Sequence, residues 1–120
     1  MFDVEIYENA AGRSEIAEWL EELNRKAHTS KESRVRLKKI AEYIELLKTY
    51  GTQVGAPAIK HITGSDLWEL RPTQDRIMFA YWRDNKFILL SHFVKKTQKT
   101  PAREIEKAER LLADFLERSG

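Results

Sequence analysis

The chain opens on an alternation. Phe2, Val4 and Ile6 fall between Asp3, Glu5 and Tyr7, and this two-residue period predicts a strand with one buried face. Asn9-Ala10-Ala11-Gly12 interrupts it. From about Ser14 to about Lys26 the period becomes helical, with Ile16, Trp19, Leu20 and Leu23 on one side and Glu15, Glu18, Glu21 and Glu22 on the other. A second helix follows. Thr29-Ser30-Lys31-Glu32 has the spacing of a capping box with Thr29 as the cap, Leu37, Ile40, Ile44 and Leu47 form the apolar stripe, and Gly51 supplies the stop. The two helices form a hairpin joined near His28.

Beyond Ile59 the period returns to two. Strands are expected at Ile59–Thr63, Asp66–Arg71, Arg76–Trp82 and Phe87–Phe93, separated by Gly64-Ser65, Pro72-Thr73-Gln74 and a tight turn at Asp84-Asn85. The last two are apolar on both faces, as central strands covered by helices are. Thr100-Pro101 reads as the N-cap and first position of a closing helix, with Ile105, Ala108, Leu111, Leu112 and Phe115 buried. The order β-α-α-β-β-β-β-α predicts an α+β fold: a mostly antiparallel sheet with an N-terminal helical hairpin and a C-terminal helix.

Composition narrows the class. With 120 residues, 42% of them hydrophobic, the chain suits a single domain over 1–120 with one packed sheet. It has no cysteine, which excludes a disulfide framework, a thiol nucleophile and a thiolate zinc site. No apolar run spans a membrane, and Met1-Phe2-Asp3-Val4-Glu5 is no secretory leader, so a cytoplasmic setting without membrane contact is expected.

The net charge of +2 conceals a strong segregation. Residues 1–24 hold seven acids and one arginine, whereas residues 25–50 hold eight Lys/Arg against three acids and residues 83–103 hold six against one. Cations gather at strand ends: Arg71 closes one strand, Arg76 opens the next, and His92, Lys95, Lys96 and Lys99 precede the last helix. Arginine, lysine and a helix N-terminus brought together make a phosphate site. The plainer alternative pairs Arg71 and Arg76 with Glu69 and Asp75 at the surface. Other chemistries lack their motifs: the three histidines show no metal-ligand spacing, and there is no GxGxxG, P-loop or Gly-x-Ser-x-Gly. His61 reads as structural, and Trp19, Trp68 and Trp82 as core residues.

Ile59-Lys60-His61, the strand Leu67-Trp68-Glu69-Leu70-Arg71, the strand Asp75-Arg76-Ile77-Met78-Phe79-Ala80 and the run from Phe87 through Lys95-Lys96-Thr97-Gln98-Lys99-Thr100-Pro101 together resemble the HigB-type toxins of the RelE/ParE superfamily, including related phage-derived proteins. The resemblance covers nearly the whole chain. It implies a compact RelE-like fold and a type II toxin that cleaves mRNA on the ribosome without metal or other cofactor, the RNA 2′-hydroxyl attacking the adjacent phosphate. It implies Arg76 as the phosphate-binding arginine with Arg71 as its partner. Lys60, Lys95, Lys96 and Lys99 would hold RNA or ribosomal phosphates. His92 is the expected proton-transfer group, because an imidazole ordinarily titrates near neutrality, with Glu69 as the other candidate base. Several relatives use a Tyr or His at the chain's end; the helix Glu104–Arg118 offers none, so weak activity away from the ribosome is expected.

The implied partners are the ribosome, mRNA and a helix-turn-helix, HigA-like antitoxin, two toxins with an antitoxin dimer. The antitoxin could cover the arginines or dock on the hairpin, and the basic segment 25–50, with Arg34, Arg36 and Lys38, makes the second the expectation. The same superfamily contains ParE-like proteins that inhibit DNA gyrase and cleave nothing, which is the alternative function.

Overall fold

A computed structural model describes residues 1–119. The elements run β1 (Asp3–Ile6), α1 (Glu15–Ala27), α2 (Lys31–Tyr50), a short 3₁₀ turn (Gly51–Val54), β2 (Ile59–His61), β3 (Trp68–Leu70), β4 (Asp75–Tyr81), β5 (Lys86–Val94) and α3 (Ala102–Ser119). This is the expected order. One five-stranded sheet, β1-β5-β4-β3-β2, carries them, antiparallel throughout except that β1 runs parallel to β5.

Each face of the sheet buries its own core. Ile16, Leu23, Ile40 and Leu47 of the hairpin close over Ile59, Leu70, Ile77, Phe79, Phe87 and Leu89. On the other face Ala108 and Leu112 of α3 close over Leu67, Met78, Ala80, Ile88 and Leu90. Alternation along β4 and β5 thus feeds two separate cores, which is why both strands read as apolar on both faces. No helix among the described residues is long and apolar enough to cross a membrane.

Local rules account for most boundaries. Ser14 caps α1 by accepting the Ala17 N–H at 3.1 Å. Gly51 ends α2 at φ +61°, a conformation that favours glycine, and a Cβ there would fall 2.8 Å from the Phe2 ring and push it aside. Asp84 and Asn85 take positive φ values of 53° and 60° in the β4–β5 turn, a conformation these two residue types tolerate.

Several expectations are corrected. The cap of α2 is Ser30, whose hydroxyl accepts the Ser33 N–H at 3.2 Å; Thr29 lies one residue too early. In β1 the alternation breaks at its end. Ile6 is exposed and Tyr7 buried, because the Tyr7 hydroxyl donates to Asp114 Oδ2 of α3 at 2.6 Å. Thr100 does not cap α3. The Ile105 N–H reaches Pro101 O instead, and the Thr100 hydroxyl is directed elsewhere. β2 and β3 are three residues each, shorter than the sequence runs suggested.

Candidate functional site

Antiparallel register dictates which side chains meet. Lys60 of β2 stands opposite Glu69 of β3, and Glu69 stands opposite Met78 of β4. The same β3–β4 register, carried past the strand end, brings Arg71 level with Arg76. Arg76 pairs with Phe93 of β5, and Lys95 follows, its N–H donating to Gln74 O at 2.8 Å. All of these lie on the α3 face, at the end of the sheet where Met78 and Phe93 belong to the α3 core. The loop 95–100 folds over them.

Glu69 is the centre. It is 3% exposed. Its Oε1 lies 3.3 Å from Arg71 Nε and 3.7 Å from Arg76 Nε, while its Oε2 accepts the Thr100 hydroxyl at 2.6 Å. Arg76 is itself buried, and its Nη1 donates to Thr73 O at 2.6 Å and to Asp75 O at 3.0 Å. Burial, and after it the charge of Arg71, lower its proton affinity, though a guanidinium keeps its charge. Arg71 Nε is buried without a hydrogen bond of good geometry. The pocket formed here is a narrow slot of about 10 Å³ walled by Lys60, Glu69, Arg71, Arg76, Lys95 and Lys99, with Thr97, Gln98, Thr100 and Phe93. Five cations face one carboxylate. Beside it, sharing Phe93, Thr97, Lys99 and Thr100, lies a wider groove of about 840 Å³ whose rim carries Lys96 and Arg103.

Of the residues singled out in the sequence, Glu69, Arg71, Arg76, Lys60, Lys95 and Lys99 therefore come together, and Lys96 sits next door. Both readings of the arginines meet here: they do approach Glu69, but inside a pocket and not at the surface. Thr100 was missed, because a Thr-Pro pair before a helix reads as a cap.

His92 does not join this group. It lies opposite Ile77, on the hairpin face, where its ring stacks on Trp19 at a centroid distance of 3.5 Å. Its Nε2 is 3.0 Å from Asp75 Oδ1. The cause is a bulge. Near the turn Tyr81, Ala80 and Phe79 pair with Phe87, Ile88 and Leu89; beyond it Met78 pairs with Ser91, leaving Leu90 as an extra residue. Without that residue His92 would stand opposite Arg76. With it, His92 is moved to the other face.

Asp75 organises that other face. It is 1% exposed and receives a bidentate pair from Arg36, Nη2 to Oδ1 at 2.7 Å and Nε to Oδ2 at 3.0 Å. Burial alone would raise its pKa, but the hydrogen bonds from His92 and Arg36 outweigh it and hold the carboxyl well below its ordinary range. Arg36 is thus an internal partner, not a free surface cation. Arg34 and Lys38 are exposed, Arg34 with one N–H on Ala27 O at 2.9 Å. His61 is exposed, tilted on Trp68 and bonded to Ser65 O. Trp19 and Trp68 pack on the hairpin-side core; Trp82 instead packs on Phe115, with the Arg83 and Lys86 cations over its ring.

Comparison with known proteins bears on this arrangement. The chain is similar in fold to a chain of the YoeB-YefM complex from Staphylococcus aureus, at a TM-score of 0.51 and 12% identity, over 80% of this chain and 99% of that one. No curated protein matches the sequence. Residues 18–113 match the family described as phage derived protein Gp49-like (DUF891), a span that takes in most of α1, all of α2, β2 to β5 and most of α3. The chain belongs to this Gp49-like family.

Proposed function

We propose that this protein is the toxin of a type II toxin–antitoxin pair, of the RelE-like kind and the HigB-type branch, and that it cuts mRNA on the ribosome. The observation that carries the reading is the pocket, in which Lys60, Arg71, Arg76, Lys95 and Lys99, from four separate segments, surround the single buried carboxylate of Glu69. A fold needs no such excess of cations for its own sake, since like charges gathered around a buried Arg76 and a half-buried Arg71 repel one another unless an anion joins them. Family membership and the fold shared with a chain of a YoeB-YefM complex support a toxin and a protein antitoxin.

The chemistry follows from the groups present. The slot admits about one phosphate oxygen, so the scissile phosphate sits at its mouth, where Arg76 and Arg71 stabilise the charge that grows on the pentacovalent phosphorus. Glu69 is the one carboxylate lining the slot and takes the proton of the attacking 2′-hydroxyl. A lysine at the rim, Lys60 or Lys95, supplies positive charge and a proton to the departing 5′-oxygen. Lys96, Lys99 and Arg103 line the groove through which the flanking strand runs. His92 has no part in proton transfer in this scheme, because it lies on the opposite face of the sheet.

The antitoxin is a helix-turn-helix, HigA-like protein forming a heterotetramer of two toxins and an antitoxin dimer in the cytoplasm. Its docking surface includes exposed Arg34 and Lys38 on α2. Primer extension on mRNA from induced cells, with translation running or blocked, tests the nuclease. Discrete cleavage ends that disappear when translation is blocked are expected. A collapse of plasmid supercoiling with mRNA intact would establish the gyrase reading in its place. Glu69→Gln should keep ribosome association while cleavage falls about a hundredfold.

A further inference from the structure

Among the pocket's side chains Arg76 pairs only with Glu69, whose Oε1 is 3.7 Å from its Nε and beyond hydrogen-bond distance. The Arg76 Nη1 is fixed by two main-chain carbonyls, Thr73 O at 2.6 Å in the turn before β4 and Asp75 O at 3.0 Å at the strand's first residue. What fixes this entry into β4 lies on the far side of the sheet. The Asp75 carboxylate is bound by Arg36 from α2 through two N–H donors, by His92 from β5 at 3.0 Å and, more loosely, by the Thr73 hydroxyl at 3.4 Å. Trp19 of α1 covers the His92 ring. Neither Arg36, Asp75 nor His92 touches the pocket.

We propose that the Arg36–Asp75–His92 cluster positions Arg76 for phosphate through the backbone of residues 73–75. Charge-assisted bidentate pairs are short and directional, so Arg36 and His92 set the Asp75 carboxylate in one place, and with it the carbonyls on which Arg76 rests. A guanidinium gripped by carbonyls needs no reorganisation when an anion arrives, whereas a misplacement of about 1 Å costs about a hundredfold in rate. Arg36, Asp75 and His92 are positioning residues. The inference rests on the reading of the pocket as a phosphate site, and its test separates the two.

The test is a double-mutant cycle of Arg36→Met and Arg76→Ala, read by calorimetric affinity for inorganic pyrophosphate and by the NMR signal of the Arg76 Nε–H group in the free protein. Arg36→Met should displace the Arg76 signal before any ligand is added. It should weaken pyrophosphate binding about tenfold when Arg76 is present and less than about twofold when Arg76 is already Ala, because coupled residues are not additive. Arg36→Lys, which keeps one N–H toward Asp75, should recover part of the loss. An unmoved Arg76 signal, or an equal loss in both backgrounds, overturns the proposal and leaves the cluster a purely structural bond. If Arg36→Met does not fold, Arg36→Lys passes through the same cycle and is judged by the same two readouts. A wild-type protein that binds no pyrophosphate counts against the phosphate pocket itself, while the Arg76 signal still decides whether Arg36 positions it.

Discussion

Asp75 and Arg76 are consecutive in one strand, and their side chains leave the sheet on opposite faces into opposite electrostatic settings. Around Asp75 the opposite charges are matched: the carboxylate is buried, doubly bound by Arg36 and met by His92. Around Arg76 the sum does not close. Five cations share one carboxylate, and Arg71 Nε has no good hydrogen bond. The first arrangement is what a fold uses to fasten a helical hairpin to a sheet. The second leaves positive charge for something that is not part of the chain. Charged residues alike in the sequence are thus told apart by whether the structure neutralises them.

The sharpest way to break the comparison is at Arg76. Arg76→Ala should lower single-turnover cleavage on translating ribosomes by at least about a hundredfold, the size of effect expected for one preorganised charge at a transition state. On the other face the loss should appear in stability. Asp75→Ala strands Arg36 and should cost about 3 kcal/mol in urea unfolding, as removing one partner of a buried ion pair does. A small stability change at Asp75 would mean that the two faces differ less than their geometry suggests.

Two weaker effects sharpen the contrast. Replacing Lys95 and Lys99 by Ala should flatten the salt dependence of RNA or ribosome binding by about 1.4 in the logarithmic slope, two contacts at about 0.7 each for single strands. Replacing Arg34 and Lys38 should leave that slope alone and weaken antitoxin binding; charge reversal there must spare Arg36, whose loss would disturb Asp75. The smallest effect is in pH. Because the folded Asp75 carboxyl titrates below its ordinary value of 3.8, its contribution to stability is full above that pH and drains away as the pH falls further. The gap in urea midpoint between wild type and Asp75→Asn should therefore narrow below 3.8.

The element order, both apolar stripes of the hairpin and the two-faced central strands could be read from period alone, because burial repeats every two or every three to four residues. So could the gathering of Glu69, Arg71, Arg76 and the lysines, which sit at strand ends that a meander must bring side by side. His92 could not be placed. Its face depends on one extra residue, Leu90, in a ladder where Leu89, Leu90 and their neighbours are all apolar or small, so nothing in the pattern marks the bulge. Nor could Arg36 be separated from Arg34 and Lys38, since its partner Asp75 is 39 residues away and only the fold brings them together. Thr100 failed for a different reason: a hydroxyl before a helix has a local use, and here a distant carboxylate outcompetes it.

The sheet also sets an order of assembly. β1 pairs in parallel with β5, Asp3 beside Lys86 and Ile6 beside Leu89, and among the described residues no other strand flanks it. A chain leaving the ribosome amino end first therefore carries its first strand unpaired until residues 86–94 have been made. Tyr7 waits longer still, for Asp114. Contacts of such sequence separation are slow to form and come late. The pocket, whose walls run from Lys60 to Thr100, cannot close before Thr100 has been made. Lys60, Arg71 and Arg76 are made before Lys95 and Lys99, so the five cations share one pocket only when most of the chain has been made.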